Sequence, residues 1–395
     1  MSQSLILTIN GGSSSVKFAV FGGGDSPRRI LTGQVERIGN PDAALVAQHL
    51  DAGKEDRRPI DAQTHQKAAQ SIAAYLQEQF GADRITAIGH RVVHGGIHLL
   101  DHQLITPAVI TKLRAAQPMD MAHLPREIAL IEAFAQAFPG HPQIACFDTA
   151  FHRDLPMVSK LLPIPRDLTD AGIRRFGFHG LSYTYLMDHL TALAPREAAG
   201  RVIIAHLGAG ASMAAVHNHK PIDTTMSFTP NAGLVMATRP GDLDPGLLVY
   251  LMREQKFSAD DLDEFISNRC GLQGVSQTSG DVRDLLQSSP TDIRAAQAID
   301  LFCYQAKKFI GALTAALGGL DTLIFSAGIG EHSPPIRAAI CAGLDFLGLT
   351  LDPAANTRGD PIISTTPSRV RVRIIPTDEE IVIARIVESF VNPAR

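Results

Sequence analysis

Leu5-Ile6-Leu7-Thr8-Ile9-Asn10-Gly11-Gly12-Ser13-Ser14-Ser15-Val16-Lys17-Phe18-Ala19-Val20 reads as a β-hairpin: an apolar run, a glycine and serine turn, and a second run of strand formers. The same pattern returns far downstream, where Val202-Ile203-Ile204-Ala205-His206-Leu207 leads into Gly208-Ala209-Gly210 and then Ala211-Ser212-Met213-Ala214-Ala215-Val216. Two such units, too widely spaced for a solenoid, predict a duplicated domain with a sheet in each half and the two glycine turns facing one another across a cleft. Strand and helix signals alternate elsewhere, which is the α/β pattern. The spacing of Ile299, Phe302, Ala306, Phe309, Ile310, Leu313 and Leu317 predicts a helix stopped at Gly318-Gly319. Ser333-Pro334 predicts a helix start after a strand Thr322–Ser326. Thr377-Asp378-Glu379-Glu380 fits a capping box in which Glu380 reaches back to the cap and Glu379 points elsewhere. The polar stretches Gly22–Pro27 and Asp51–Pro59 read as surface loops.

Composition narrows the function. The 395 residues are 45% hydrophobic and 19% charged, enough for a sizeable core. A net charge of −4 and the lack of any Lys/Arg-rich run argue against a nucleic-acid partner. The longest apolar stretch, Phe309 to Leu320, is too short to cross a bilayer, and Met1 to Asn10 lacks the features of a signal peptide. Cys146, Cys270, Cys303 and Cys341 form no CxxC pair and show no zinc spacing, so they read as reduced thiols. The expectation is a cytoplasmic α/β enzyme without a membrane or nucleic-acid partner.

Three glycine turns, Asn10–Ser15, Gly208–Gly210 and Gly328-Ile329-Gly330-Glu331, each follow an apolar strand and offer backbone N–H groups to phosphate oxygens. No GxxxxGK[ST], no GxGxxG after a strand and no protein-kinase signature set is present. Arg91 lies in His90-Arg91-Val92-Val93-His94-Gly95-Gly96, directly after the apolar Ile85–Ile88. It is there either to meet an anion or as an edge-strand arginine in water. Arg239 sits in the turn Thr238-Arg239-Pro240-Gly241-Asp242. Asp148 follows Ile144-Ala145-Cys146-Phe147, at a strand's end, where α/β sheets place ligands or a helix takes its N-cap. His123, His152, His179 and His206 stand beside turns, but no HExxH-type spacing links them, so zinc is not expected.

With these segments side by side, the chain resembles the acetate kinases. The resemblance rests on Asn10 to Phe18, Gly89 to Gly96, Phe147 to His152, Arg174 to Gly180, His206 to Ser212, Thr238 to Pro245, Ala327 to Glu331 and Thr377 to Glu380, in family order over nearly the whole chain. It implies two duplicated ribonuclease-H-like domains of the acetate and sugar kinase, heat-shock chaperone and actin superfamily. Residues 1–150 would form the first lobe, joined by a C-terminal helix of about 380–395. Residues 151–379 would form the second, with the nucleotide site and a dimer interface. The implied reaction is reversible transfer of the ATP γ-phosphoryl group to acetate, giving acetyl phosphate and ADP, with a propionate-preferring kinase of the same family as the alternative.

The resemblance also implies roles. Asn10 and Glu379 would hold Mg2+, with Mn2+ as a substitute. Asp148, Arg91, His179, Arg239 and His123 would be catalytic. Lys17, His206, Leu207, Gly208, Ala209, Gly210, Asp281, Val282, Arg283, Gly328, Ile329, Gly330, Glu331 and His332 would bind ATP. Arg91, Val93, Phe178 and Pro230 would hold the acyl substrate, and the enzyme would be a homodimer. Three departures stand out: Ala209 where the family usually has Asn, Gly11 where many relatives have Cys or Pro, and Asp120-Met121-Ala122-His123-Leu124-Pro125-Arg126 in place of the usual Pro-Leu-His-Asn-Pro. On that alignment Ala122 replaces a leucine that helps wall the acyl pocket.

Overall fold

The computed structural model describes residues 4–12, 14–24 and 27–393. Met1–Gln3, Ser13 of the first glycine turn, Asp25 and Ser26 of the 22–27 stretch, and Ala394 and Arg395 lie outside the described residues. The chain divides into two compact units, Met1–Arg153 with Asp378–Arg395, and Asp154–Thr377.

The first unit is built on β1 (Leu5–Gly11), β2 (Val16–Gly22), β3 (Arg28–Glu36), β4 (Ala44–His49), β5 (Lys54–Pro59), β6 (Ile85–Val92), β7 (Gln103–Leu104) and β8 (Gln143–Phe147), in the order β5-β4-β3-β2-β1-β6-β8-β7. β1 runs antiparallel to β2, with Leu7 opposite Val20 and Asn10 opposite Lys17, and parallel to β6. The apolar run of β1 is buried along its length because both faces of the sheet are covered. Helices His65–Phe80 and Leu124–Ala137 bring Ile72, Leu76, Leu130 and Phe134 into one core with Leu7, Phe18 and Ile88. Helix Glu379–Val391 packs on β1, β6 and β8. Glu379 therefore belongs with the first unit, not at the end of the second as the sequence suggested.

The second unit carries β9 (Arg201–Leu207), β10 (Ala211–His217), β11 (Lys220–Thr224), β12 (Thr322–Ser326) and β13 (Arg371–Ile374), in the order β11-β10-β9-β12-β13. β9 is antiparallel to β10 and parallel to β12, which is parallel to β13. The set β3-β2-β1-β6-β8 of the first unit has the same order and the same strand directions. The duplication read from the two glycine hairpins is thus a duplication of ribonuclease-H-like sheets. Helix Ile293–Leu317 covers β9, β10 and β11, starts on the Asp292 side chain and stops at Gly318 in the left-handed region.

Four local expectations need correction. Residues 54–59, read as part of a loop, form the edge strand β5, where Lys54, Arg57 and Arg58 charge an open sheet edge. Arg91 is not on an edge strand, since β6 lies between β1 and β8. The Gly328–Glu331 segment is not a turn but part of a short helix, Ala327–His332, entered through a left-handed Ala327. The last helix takes Asp378 as its cap, with Ile381 N–H donating to it, because the Thr377 hydroxyl is 2.8 Å from Ser182 Oγ. Glu380 does not reach back to the cap; it pairs with Arg29 at 3.4 Å.

Candidate active site

In the first unit the decisive residue is Arg91, next to last on β6. Its Nε and Nη2 donate to Asp148, at 3.1 and 2.6 Å, and its Nη1 donates to Asn10 Oδ1 at 3.1 Å. Glu379 Oε2 is 3.8 Å from Arg91 Nε and accepts from Asn10 Nδ2 at 3.1 Å. Burial works against the Arg91 charge, but Asp148 and Glu379 outweigh it and hold its pKa above the usual arginine value. The Asp148 side chain is only 1% exposed, one residue beyond β8, the strand that pairs with β6. The adjacent strands β1, β6 and β8 and the start of the last helix therefore bring Asn10, Arg91, Asp148 and Glu379 together. Lys17 is exposed and lies opposite Asn10 in the β1–β2 register.

Among the described residues no group of three or more His, Cys, Asp or Glu is arranged to hold a metal ion. Asn10 and Glu379 supply hard oxygen donors only. That suits Mg2+, which takes one or two protein carboxylates and fills its other positions with water and phosphate oxygens.

Below this cluster, Val93 N–H donates to both oxygens of Glu127, which is buried on helix Leu124–Ala137. Burial raises the Glu127 pKa well above the ordinary value; the charge of Asp120 adds to the rise and that of Arg91 opposes it. His123 precedes the helix, with Nδ1 2.8 Å from Asp120 Oδ1. Leu124 is fully buried in a core cluster with Val92, Leu113 and Phe147, while Met121 is 60% exposed. Gly11 has its own reason: a Cβ there would meet Leu130 Cδ1 at 2.6 Å, so Leu130 fills the space a larger residue would need.

In the second unit the turn after β9 is the focus. His206 is on β9 and His179 immediately precedes helix Gly180–Leu193 in the left-handed region, at φ 59°. The two rings stack with centroids 4.3 Å apart. A Cβ on Gly210 would come within 2.5 Å of Arg239 Nη2 and 3.4 Å of His179 Nε2, so both side chains close over the bare backbone of the turn. Arg239 Nη1 donates to Pro230 O at 2.8 Å. Phe178 is 1% exposed, next to His179.

A pocket of about 850 Å³ opens beside this turn, lined by Gly208 and Ala209, by Asp281, Val282 and Arg283, and by Gly328, Ile329 and His332. Asp281 caps helix Val282–Ser288 and its carboxylate takes the Arg283 guanidinium at 2.5 Å. His206, Leu207, Gly210, Gly330 and Glu331 stand outside the lining. Glu331 instead accepts from Thr377 N–H at 3.2 Å. Ala237, Gly280, Leu286, Ser333 and Pro335 also line the pocket and were missed in the sequence; Gly280, before a capping Asp, and the Ser-Pro-Pro run were the available signals. Arg337 was missed as well: fully buried, it donates to the carbonyls of Gly330 and Glu331, each at 2.9 Å, and to Asn356.

A family model described as the acetokinase family matches residues 5–385. A protein of Rhodopseudomonas palustris named acetate kinase is 43% identical over 398 residues, covering 99% of each chain. The crystal structure of Porphyromonas gingivalis acetate kinase superposes with a TM-score of 0.87 at 34% identity, over 98% of this chain and 100% of that one. That of a propionate kinase from Francisella tularensis gives 0.90 at 33% identity, over 97% and 98%.

Proposed function

The chain belongs to the acetokinase family, and from that premise we propose that it transfers the γ-phosphoryl group of ATP to acetate, reversibly, giving acetyl phosphate and ADP. The observation that carries the reading is the 43% identity, end to end, with a protein named acetate kinase. An acetate oxygen bonds to the γ-phosphorus as the bond to the ADP oxygen breaks, and ADP leaves with the electron pair. Acetate is already ionised at neutral pH, so no base has to remove a proton. Catalysis then reduces to positioning and to charge stabilisation on the transferring group.

Asp148 holds the Arg91 guanidinium in place, and Arg91 receives the carboxylate. Arg239 and His179, converging on Gly210, donate to the phosphoryl oxygens. The nucleotide lies in the pocket of about 850 Å³, with Asp281–Arg283 toward its adenosine. Asn10 and Glu379 would hold Mg2+, which neutralises charge on the nucleotide phosphates when bound.

A second reading differs only in the acceptor. Ala122 is half-buried and, on the resemblance, stands where the family carries a leucine, which favours propionate. ADP formation from Mg-ATP with acetate, propionate, butyrate and glucose in parallel tests both. Activity with acetate or propionate supports the assignment, and activity with glucose alone overturns it.

The homodimer is also part of this proposal. Helix Pro245–Glu254 has no buried residue and exposes Leu247, Val249, Tyr250 and Met252, an apolar face suited to a second copy. A monomer by light scattering at micromolar concentration would contradict it. The four free cysteines fit the reducing cytoplasm as its location.

A further inference from the structure

The stacked imidazoles of the second unit are held from behind by hydroxyl groups. His179 Nδ1 is 2.8 Å from Ser212 Oγ, and Ser212 Oγ is 2.5 Å from Tyr183 Oη. Tyr183 and Ser212 have no solvent exposure and His179 is 8% exposed. The arrangement follows from two periodicities. Tyr183 lies one helical turn after His179, and Ser212 faces His206 across the β9–β10 ladder.

A serine hydroxyl has one proton and can accept as well as donate. A phenol, with a pKa of about 10, is far more acidic than an alcohol and is the stronger donor of the two. The consistent direction is Tyr183 donating to Ser212 Oγ and Ser212 donating to His179 Nδ1. An imidazole that accepts at Nδ1 carries its proton on Nε2.

We propose that Tyr183 and Ser212 are positioning residues that hold His179 as the neutral Nε2–H tautomer, so that its Nε2 is a hydrogen-bond donor without being a cation. The purpose assigned to that donor, a bond to a phosphoryl oxygen, rests on the proposed function; the tautomer does not. A neutral donor adds no proton to the transferring group and stays a donor when the solution is alkaline.

Long-range 1H–15N correlation spectra of histidine-labelled protein read the tautomer directly, with His179→Gln assigning the signal. The wild type should show the Nε2–H pattern. Ser212→Ala and Tyr183→Phe should each weaken that preference and lower kcat by roughly 5- to 100-fold, the range expected for one lost buried hydrogen bond. KM for ATP should move less than threefold, and Ser212→Thr, which keeps the hydroxyl, should restore both signals. Tyr183→Phe keeps the ring shape and stands in if Ser212→Ala does not fold. An Nδ1–H pattern in the wild type, or variants with unchanged tautomer and kcat, would overturn the proposal. An Nε2–H pattern lost in both variants, in a protein that makes no acyl phosphate, would uphold the tautomer and reject the proposed function instead.

Discussion

Replacing Arg91 with alanine removes more than the charge proposed to receive the acceptor carboxylate. Arg91 reaches Asp148 through Nε and Nη2, and the carboxylate it covers is 1% exposed. Breaking a buried pair by deleting one partner costs about 3–5 kcal/mol, because the other charge is left without compensation. For a unit of this size that is a fall in melting temperature of roughly 6–20 °C. Asp148→Asn keeps the shape and drops the charge, so the double variant Arg91→Ala/Asp148→Asn should be more stable than the sum of the single losses predicts. The interaction energy from the four-protein cycle should reach about 2–3 kcal/mol. Turnover should meanwhile fall about 10²- to 10³-fold in Arg91→Ala, the usual cost of removing a donor from developing charge. Lysine should rescue poorly, since one ammonium cannot span Asp148 and Asn10 as the guanidinium fork does. Thermal melts and urea titrations of the four proteins give the stabilities, and steady-state kinetics the rest. An Arg91→Ala protein melting within about 2 °C of wild type, or four strictly additive stabilities, would refute the claim that Asp148 depends on Arg91. Wild-type turnover in that variant would refute its catalytic role.

Glu379→Ala should weaken the use of Mg-ATP in a Mg2+ titration, while Glu380→Ala leaves kinetics unchanged and Asp378→Ala costs about 1 kcal/mol of stability through the lost helix cap. Ala122→Leu should shift kcat/KM from propionate toward acetate by about fourfold, the worth of one buried methylene at roughly 0.8 kcal/mol; an acetate preference already present and unmoved by the substitution would end the size argument. Glu127 holds in the folded state a proton that the unfolded chain releases, because burial raises its pKa. Its contribution is thus fully present below the ordinary carboxyl value and is lost as pH rises toward the raised one. Glu127→Gln should therefore stabilise the protein more above the ordinary carboxyl range than below it in urea titrations, and a pH-independent difference from wild type would contradict this.

Much of the architecture was legible because its signals are local. The runs Leu5–Ile9 and Val202–Leu207, each followed by a glycine turn and a second strand, announce two hairpins, and their separation announces duplication. Asp148 was legible as a strand-end carboxylate for the same reason. Other features depend on contacts distant in sequence. Nothing near Arg91 says that its strand is central, since that follows from the pairing of β6 with both β1 and β8. The capping box at Thr377 fitted the pattern, but Ser182 engages the threonine hydroxyl and the helix starts one residue later. Gly328–Glu331 looked like a third glycine turn because Gly-Ile-Gly suits a turn and a helix entry alike; the left-handed Ala327 decides between them. Ala237 and Leu286 carry no signal in isolation, and they line the pocket only through the tertiary arrangement of their elements.

The most direct test of the account follows the oxygen atoms. Acetate labelled with 18O at both carboxylate positions is incubated with Mg-ATP and the protein, and the product is read by 31P NMR. If an acetate oxygen attacks the γ-phosphorus, acetyl phosphate forms with 18O bridging carbon and phosphorus, and its resonance carries the isotope shift. Acetyl phosphate without that shift, or ATP consumption that yields only inorganic phosphate, would contradict phosphoryl transfer to a carboxylate.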